Sequence, residues 1–445
     1  MLILGGSLMG AEFKAGLGRA LITPPLPFWL SGYASRTNPA SGKLQDLWAK
    51  ALALEDRRGG RVVIVTTDLI GLPRQVSDEV AAQVQKNHGL LRSQLVLNSS
   101  HTHSGPVVGS NLSVMFDLND EERRGSEEYT SKLTGALIRV VGVALNDMAP
   151  ARLSAGHGMA DFAMNRREPA AQGVRIGLNR SGPVDHDVPV LTVTTMEGKL
   201  RAVLFGYACH NTTLGGDRYL VNGDYAGFAQ LDVESKHPGA TALFFILCGG
   251  DQNPQPRGTP ELAMQHGKSL ADAVERSLDG ELRPVRAPIR TAWSMTNLEF
   301  APHNRQTFEA DLNGKDRFRQ RRAKLMLAAY DRGKPITRLA YPVQAVRLGH
   351  EWTLLALGGE VVVDYALRAK KEYAAENMVV AGYCNDVMCY IPSLRVLKEG
   401  GYESVDSMIY YGCPGPFADT VEERVFSAVH RVMKRVGVKA PQASR

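Results

Sequence analysis

Short apolar runs that end in polar or glycine-rich residues, separated by stretches of helical periodicity, recur along this whole chain and restrict it to an α/β fold. The run RVVIVTTDL (61–69) leads into SDEVAAQVQKNHG (77–89), which has the apolar spacing of an amphipathic helix with Ser77 at its N-cap and Gly89 at its end. QLVLNSSHTHSG (94–105) reads as the next strand, and the theme returns in VPVLTVTT, LRAVLFGYACH, TALFFILCGG and WTLLALGGEVVV. The expected architecture is a multilayer α/β domain with mixed β-sheets flanked by helices. Ligands of open α/β sheets collect beyond the carboxyl ends of the strands. Four such ends here carry His101, His210, Asp251 and Glu360, so a metal site at strand ends is expected.

No internal repeat or long Pro-rich or Gly/Ser linker divides the 445 residues. One catalytic domain over 13–438 is therefore expected, with a polar, helix-rich insertion near 300–340 and a tail at 439–445. The apolar segment 1–12 has no Lys or Arg before Lys14, so it lacks the basic start of a secretory signal; it reads as a signal remnant or as a plain terminus.

Composition removes several function classes. The formal net charge is +6, but Lys and Arg are dispersed and form no basic stripe, which argues against nucleic acid as a partner. No window reaches the roughly 20 apolar residues of a membrane-spanning helix. Five cysteines without C-x-x-C spacing suit neither a disulfide framework nor a thiolate zinc site. Neither H-E-x-x-H nor G-x-S-x-G is present; HGKS (266–269) lacks the leading glycine of a phosphate loop, and GLGRAL (16–21) fails the dinucleotide pattern.

In NSSHTHSGP (98–106), His101 and His103 stand two apart directly after an apolar strand. While extended they point to opposite sides, so one can bind a metal as the other faces elsewhere. His210 closes a second strand, ahead of a turn-like NGDYAG around Asp224; taken alone, it suits a hydrogen-bonded core histidine better than a ligand. Glu360 follows Gly358-Gly359, and a buried carboxylate there needs a cation or several hydrogen bonds. Two neutral imidazoles and a carboxylate suit zinc and leave room for a water. Asp185-His186-Asp187, a further candidate cluster, precedes a strand in a turn position.

These residues and their order carry a family resemblance. LGRALITPP, LSGYASR, LWAKALALED, VTTDLIGL, SHTHSGP, MNRR, ACHNT, CGGDQNP, GGE, NDVMCYIPS and GGYES together resemble the amidase domain of the neutral ceramidases, found also as shorter bacterial proteins. The resemblance implies one zinc per chain, held by His101, His210, Glu360 and Tyr390, with Tyr402 and Arg166 as further site residues. It implies cleavage of a linear amide, either ceramide-like and tied to sphingolipid metabolism or another N-acyl amide, and it favours a secreted or periplasmic setting. Two departures stand out. Where the family carries serine in G-D-x-S-P-N, this chain has Asn253, and the chain stops about where the amidase domain would, so the β-sandwich of long ceramidases is expected to be absent.

The expected mechanism has a metal-activated water, His103 as general base or acid, and Tyr402 and Arg166 donating to the oxygen of the tetrahedral intermediate. Asp251 and Asp224 are expected to orient histidines or backbone from behind, with Asn253 beside them. Three alternatives remain open at this point: an esterase or lactonase on the same zinc site, a non-catalytic metal-binding homologue, and a two-histidine metallohydrolase of the barrel type.

Overall fold

The structure, a computed structural model, describes residues 11–439. Most of the apolar segment expected at 1–12 and of the tail expected at 439–445 lies outside the described residues.

Two sheets packed face to face form the centre. In the larger one, Phe13–Leu21 pairs antiparallel with Trp48–Asp56, which pairs antiparallel with Arg61–Thr67. Leu95–Ser99 then joins in parallel, after a crossover through helix Arg74–His88. On the other side Phe13–Leu21 meets Ala149–Met159, followed by Asp187–Thr194 and Leu200–Tyr207. Thr241–Ile246 closes that side in parallel, after the crossover helix Asp224–Lys236. The second sheet runs Ile289–Glu299, Arg338–Leu348, Trp352–Leu357 and Met378–Ala381.

Burial follows from the sequence pattern. Leu52, Leu54, Ile64 and Val96 of the first sheet share one apolar cluster with Val346, Trp352 and Leu354 of the second. The opposite face of the first sheet packs under Val76, Val80, Leu133 and Leu137 of two helices, and that of the second under Val425, Phe426 and Val429. Each such side chain contributes about 1.5–3 kcal/mol on full burial. The result is four layers, helix–sheet–sheet–helix, with mixed sheets as expected. Gly18, in the stretch that fails the dinucleotide pattern, lets the helix Asp120–Asn146 approach: a Cβ there would lie 2.3 Å from the Val140 carbonyl.

Helices Arg305–Leu312 and Arg317–Asp331 form the connection in sequence between the first two strands of the second sheet and enclose a small core of Phe308, Ala323, Met326 and Leu327. The expected Ser77 cap is corrected. The helix begins at Arg74, because the Pro73 carbonyl already accepts from Val76 and Ser77 N–H. Ser77 sits buried inside it, and among the described residues its hydroxyl has no hydrogen-bond partner. Gly89 ends the helix at φ 65°, as the sequence predicts.

Asn98 decides how the ends of the large sheet meet. Its Oδ1 accepts from Ile246 N–H (3.0 Å) and its Nδ2 donates to the Ile246 carbonyl (3.3 Å), tying Leu95–Ser99 to Thr241–Ile246. The segments after these strands therefore emerge side by side.

Candidate active site

Backbone pairings between distant segments assemble the candidate residues. A parallel bridge between Thr102 and Asn211 sets His101 beside His210. His210 N–H donates to the Gln252 carbonyl (2.9 Å) and Arg166 N–H to that of Asp251 (2.9 Å), which draws in the CGGDQNP and MNRR segments. The short parallel pair Glu360–Val361 and Tyr390–Ile391 puts Glu360 directly opposite Tyr390.

The expectation that His101 and His103 face opposite ways is corrected. The strand ends at Ser99, and His101 takes a left-handed conformation with φ 62°, which cancels the alternation of an extended chain. The two Nε2 atoms lie 3.1 Å apart, and His101, His103 and His210 form one buried group able to hold a metal ion.

The protons of this group follow from its outer contacts. His101 Nδ1 lies 2.6 Å from the Ile70 carbonyl and His210 Nδ1 2.7 Å from that of Gly249. A carbonyl only accepts, so both Nδ1 atoms carry hydrogen, and in that tautomer each Nε2 presents a lone pair. Those lone pairs face one carboxylate oxygen, Oε2 of Glu360, at 2.9 Å and 3.1 Å. Burial, reinforced by the charge of Arg166, pushes His210 down to about 3, so its ring is neutral at physiological pH. Acceptors that face each other without a hydrogen between them repel, and a cation among them removes the repulsion. Ligand atoms 2.0–2.1 Å from a tetrahedral ion stand about 3.3 Å apart, close to the separations found here. Tyr390 Oη lies 3.0 Å from His210 Nε2.

Around this centre Arg166 makes three side-chain contacts: Nε with Glu403 (2.7 Å), Nη2 with the Tyr390 hydroxyl (2.9 Å) and Nη1 with Asn253 Oδ1 (3.3 Å). Glu403 also pairs with Arg167. It lies in a π-helical turn, Tyr402–Asp406, of the kind found often at functional sites. Tyr402 has its ring 5.5 Å from the Arg166 guanidinium carbon, and burial raises its phenol well above the usual range, so it keeps its proton. His103 is likewise held neutral, by burial first and then by His101 and His210. Its Nδ1 is buried and, among the described residues, has no hydrogen-bond partner.

Among the described residues Asp251 and Asp224 hydrogen-bond to no histidine. Asp251 accepts from Val363 N–H (2.8 Å) and from the Asn165 amide (3.1 Å), and burial pushes its carboxyl up to about 7. Asp224 accepts from the N–H groups of Leu214 and Tyr225. Asp185 and Asp187 pair with Lys370, away from the centre. A larger groove of about 430 Å³, beside Trp29 and the start of helix Asp120–Asn146, is lined by none of the histidines. The cavity that reaches the centre measures about 260 Å³ and is lined by His103, Arg166, Asn253, Tyr390 and Tyr402 among others.

Sequence reasoning missed Tyr411, whose hydroxyl donates to Glu360 Oε1 while Oε2 faces the two histidines. It also missed Glu403, although the GGYES motif contains it. Tyr411 had no local signal, since it stands outside every motif and its partner is 51 residues away.

Fold and site together define an α/β protein whose strand ends carry a buried histidine group able to hold a metal. Residues 13–270 match the family model "Neutral/alkaline non-lysosomal ceramidase, N-terminal", and the chain belongs to this family. It is 25% identical over 267 residues to the neutral ceramidase of Drosophila melanogaster, covering 56% of this chain and 37% of that protein. Against the neutral ceramidase of Pseudomonas aeruginosa the identity is 26% over 257 residues, covering 54% and 37%. The matched region thus spans little more than a third of the length of these relatives. The fold is similar to the crystal structure of neutral ceramidase from Pseudomonas aeruginosa, with a TM-score of 0.73 at 19% identity, over 98% of this chain and 76% of that one. Among the described residues no helix is long and apolar enough to cross a membrane.

Proposed function

We propose that this protein is a zinc-dependent hydrolase that cleaves the amide bond of an N-acyl amide, ceramide-like or related, with residues 13–438 acting as one catalytic domain. The observation that carries this reading is the trio of buried acceptors in which His101 Nε2 and His210 Nε2 stand 2.9 Å and 3.1 Å from one oxygen, Oε2 of Glu360. His101, His210, Glu360 and Tyr390 would hold one zinc per chain. When bound, the ion supplies Lewis acidity, polarising the scissile carbonyl and lowering the pKa of an attacking water from 15.7 towards about 7.

The remaining roles fall to the protein. His103, neutral and facing the cavity, takes the proton of the attacking water and returns it to the departing amine nitrogen. Tyr402 and Arg166 donate to the oxygen that gains charge as the carbonyl is attacked. Asn253 Oδ1 already accepts from Arg166 and Thr212, so its side chain takes no nucleophilic part and water is the nucleophile. Asp251 and Asp224 hold the backbone on which these groups stand. The decisive experiment is elemental analysis of purified protein, paired with cleavage of a fluorogenic N-acyl amide before and after chelation. About one zinc per chain with chelator-sensitive cleavage is expected; protein that cleaves with no metal would sink the proposal.

Two effects follow from residues behind the centre. Tyr411→Phe frees Glu360 Oε1 and removes the contact that fixes the carboxylate, so zinc affinity should fall about 10- to 100-fold in a competitive chelator titration. Unchanged affinity would reduce Tyr411 to packing. Gly32 has φ 103°, and a Cβ there would lie 2.5 Å from His103 Nδ1. Gly32→Ala must therefore displace His103, and a misplacement of about 1 Å costs about 100-fold in rate. Zinc content should hold while kcat falls, and an unaltered kcat would remove His103 from the proton transfer.

A further inference from the structure

The cavity at the centre has an unbalanced charge. Among the described residues no acidic side chain lines it, whereas Arg166 and Arg257 both do. Arg166 is matched by Glu403 at 2.7 Å. Arg257 has no such counterpart: among the described residues no carboxylate stands within salt-bridge distance of it, and its guanidinium meets the Tyr33 hydroxyl at 3.5 Å. Tyr33 spends its own hydrogen on the Leu214 carbonyl (2.7 Å), so towards Arg257 it is an acceptor that steadies the guanidinium without neutralising it.

The backbone around Arg257 is tied down. Gln255 N–H donates to the Phe162 carbonyl (2.9 Å), Gly258 N–H to that of Thr213 (2.7 Å), and His266 Nε2 lies 2.6 Å from the Pro256 carbonyl. The half-buried Arg257 is thus held facing the cavity that also opens onto His103. Asn253 adds a second donor. Its Oδ1 is used by Arg166 and Thr212, which leaves the Nδ2 hydrogens for a ligand. An unpaired guanidinium and an amide N–H in a cavity without acids form a receptor for a planar anion, a carboxylate above all.

We propose that the substrate of this site carries a carboxylate, as an N-acyl amino acid does, and that Arg257 and the Asn253 amide bind it while the scissile amide lies at His103. This rests on the hydrolase reading above and names its substrate class. Hydrolysis breaks the amide C–N bond and forms a C–O bond from water, one water proton passing to the leaving nitrogen; the products are a fatty acid and a free amino acid. Size agrees with the charge: about 260 Å³ is below the roughly 300–1,000 Å³ of pockets that enclose a drug-sized ligand. A short amine portion with its carboxylate fits, while the acyl chain leaves through the mouth.

The test compares N-lauroylglycine with N-lauroylethanolamine, a pair alike in length and differing in charge, on the zinc-loaded full chain. Both kcat/KM and the dissociation constant by calorimetry are measured. The wild-type protein should prefer the acid, and Arg257→Gln should lower the acid-to-alcohol ratio about 10- to 100-fold, the range of one charge-assisted hydrogen-bond pair. Arg257→Lys keeps the charge and should restore part of the ratio, which separates loss of recognition from loss of folding. Cleavage of both compounds without a charge preference, or a ratio that Arg257→Gln leaves unaltered, overturns this inference and leaves the hydrolase reading standing. Tighter binding of the acid that depends on Arg257, without any cleavage, supports the anion site and sinks the hydrolase reading. Failure to bind either compound overturns the inference.

Discussion

His210→Ala is expected to abolish stoichiometric zinc and hydrolysis together. The His210 ring provides one of the two Nε2 atoms that face Glu360, at 3.1 Å, and its other nitrogen is anchored on the Gly249 carbonyl at 2.7 Å. Removing it leaves a buried cavity, an unpaired Gly249 carbonyl and a three-member donor set that no longer surrounds an ion. Metal affinity should fall far more than the 10- to 100-fold typical of changes to groups behind a ligand. Inductively coupled plasma analysis and a turnover assay on the same preparation check both halves. A variant that hydrolysed at the wild-type rate with no bound metal would remove His210 and the metal from the scheme, while one that kept its zinc but lost activity would move His210 from holding the ion to direct chemistry.

Tyr402→Phe should lower kcat about 100- to 1000-fold, the usual cost of removing one donor to a developing oxyanion. Its hydroxyl stays protonated because burial raises its pKa, and its ring stands 5.5 Å from the Arg166 guanidinium carbon, on the wall of the cavity that reaches His103. Phenylalanine preserves the ring and its packing on Tyr390, so zinc content and thermal stability should match the wild type. Arg166 is a poorer probe of the same step. Its partner Glu403 is buried, and breaking a buried pair costs about 3–5 kcal/mol in stability, which would mix folding with catalysis. Unaltered kinetics in Tyr402→Phe would return that tyrosine to packing.

Much of this protein was legible without coordinates. The α/β rhythm, the strands RVVIVTTDL and LRAVLFGYACH, the Gly89 helix stop and the placing of His101, His210 and Glu360 after strands all follow from period-2 and period-3.6 patterns with glycine punctuation, which are local properties. The errors were also local in origin. Ser77 suits a cap by its hydroxyl, yet the preceding Pro73 carbonyl starts the helix. Alternation carried past Ser99 makes His101 and His103 diverge, but the strand stops there and His101 turns to positive φ.

The sequence by itself determined which residue types stand at the ends of which strands, because side-chain patterning and turn chemistry act over a few residues. Only the tertiary structure decided that these ends meet. Asn98 ties Leu95–Ser99 to Thr241–Ile246, Thr102 pairs with Asn211, and Glu360 pairs with Tyr390. Tyr411 on Glu360, Glu403 on Arg166 and the unpaired Arg257 depend on the same long-range packing. Contacts between segments far apart in sequence are selected by the burial and backbone hydrogen bonding of the whole domain, and no short window of residues carries that information.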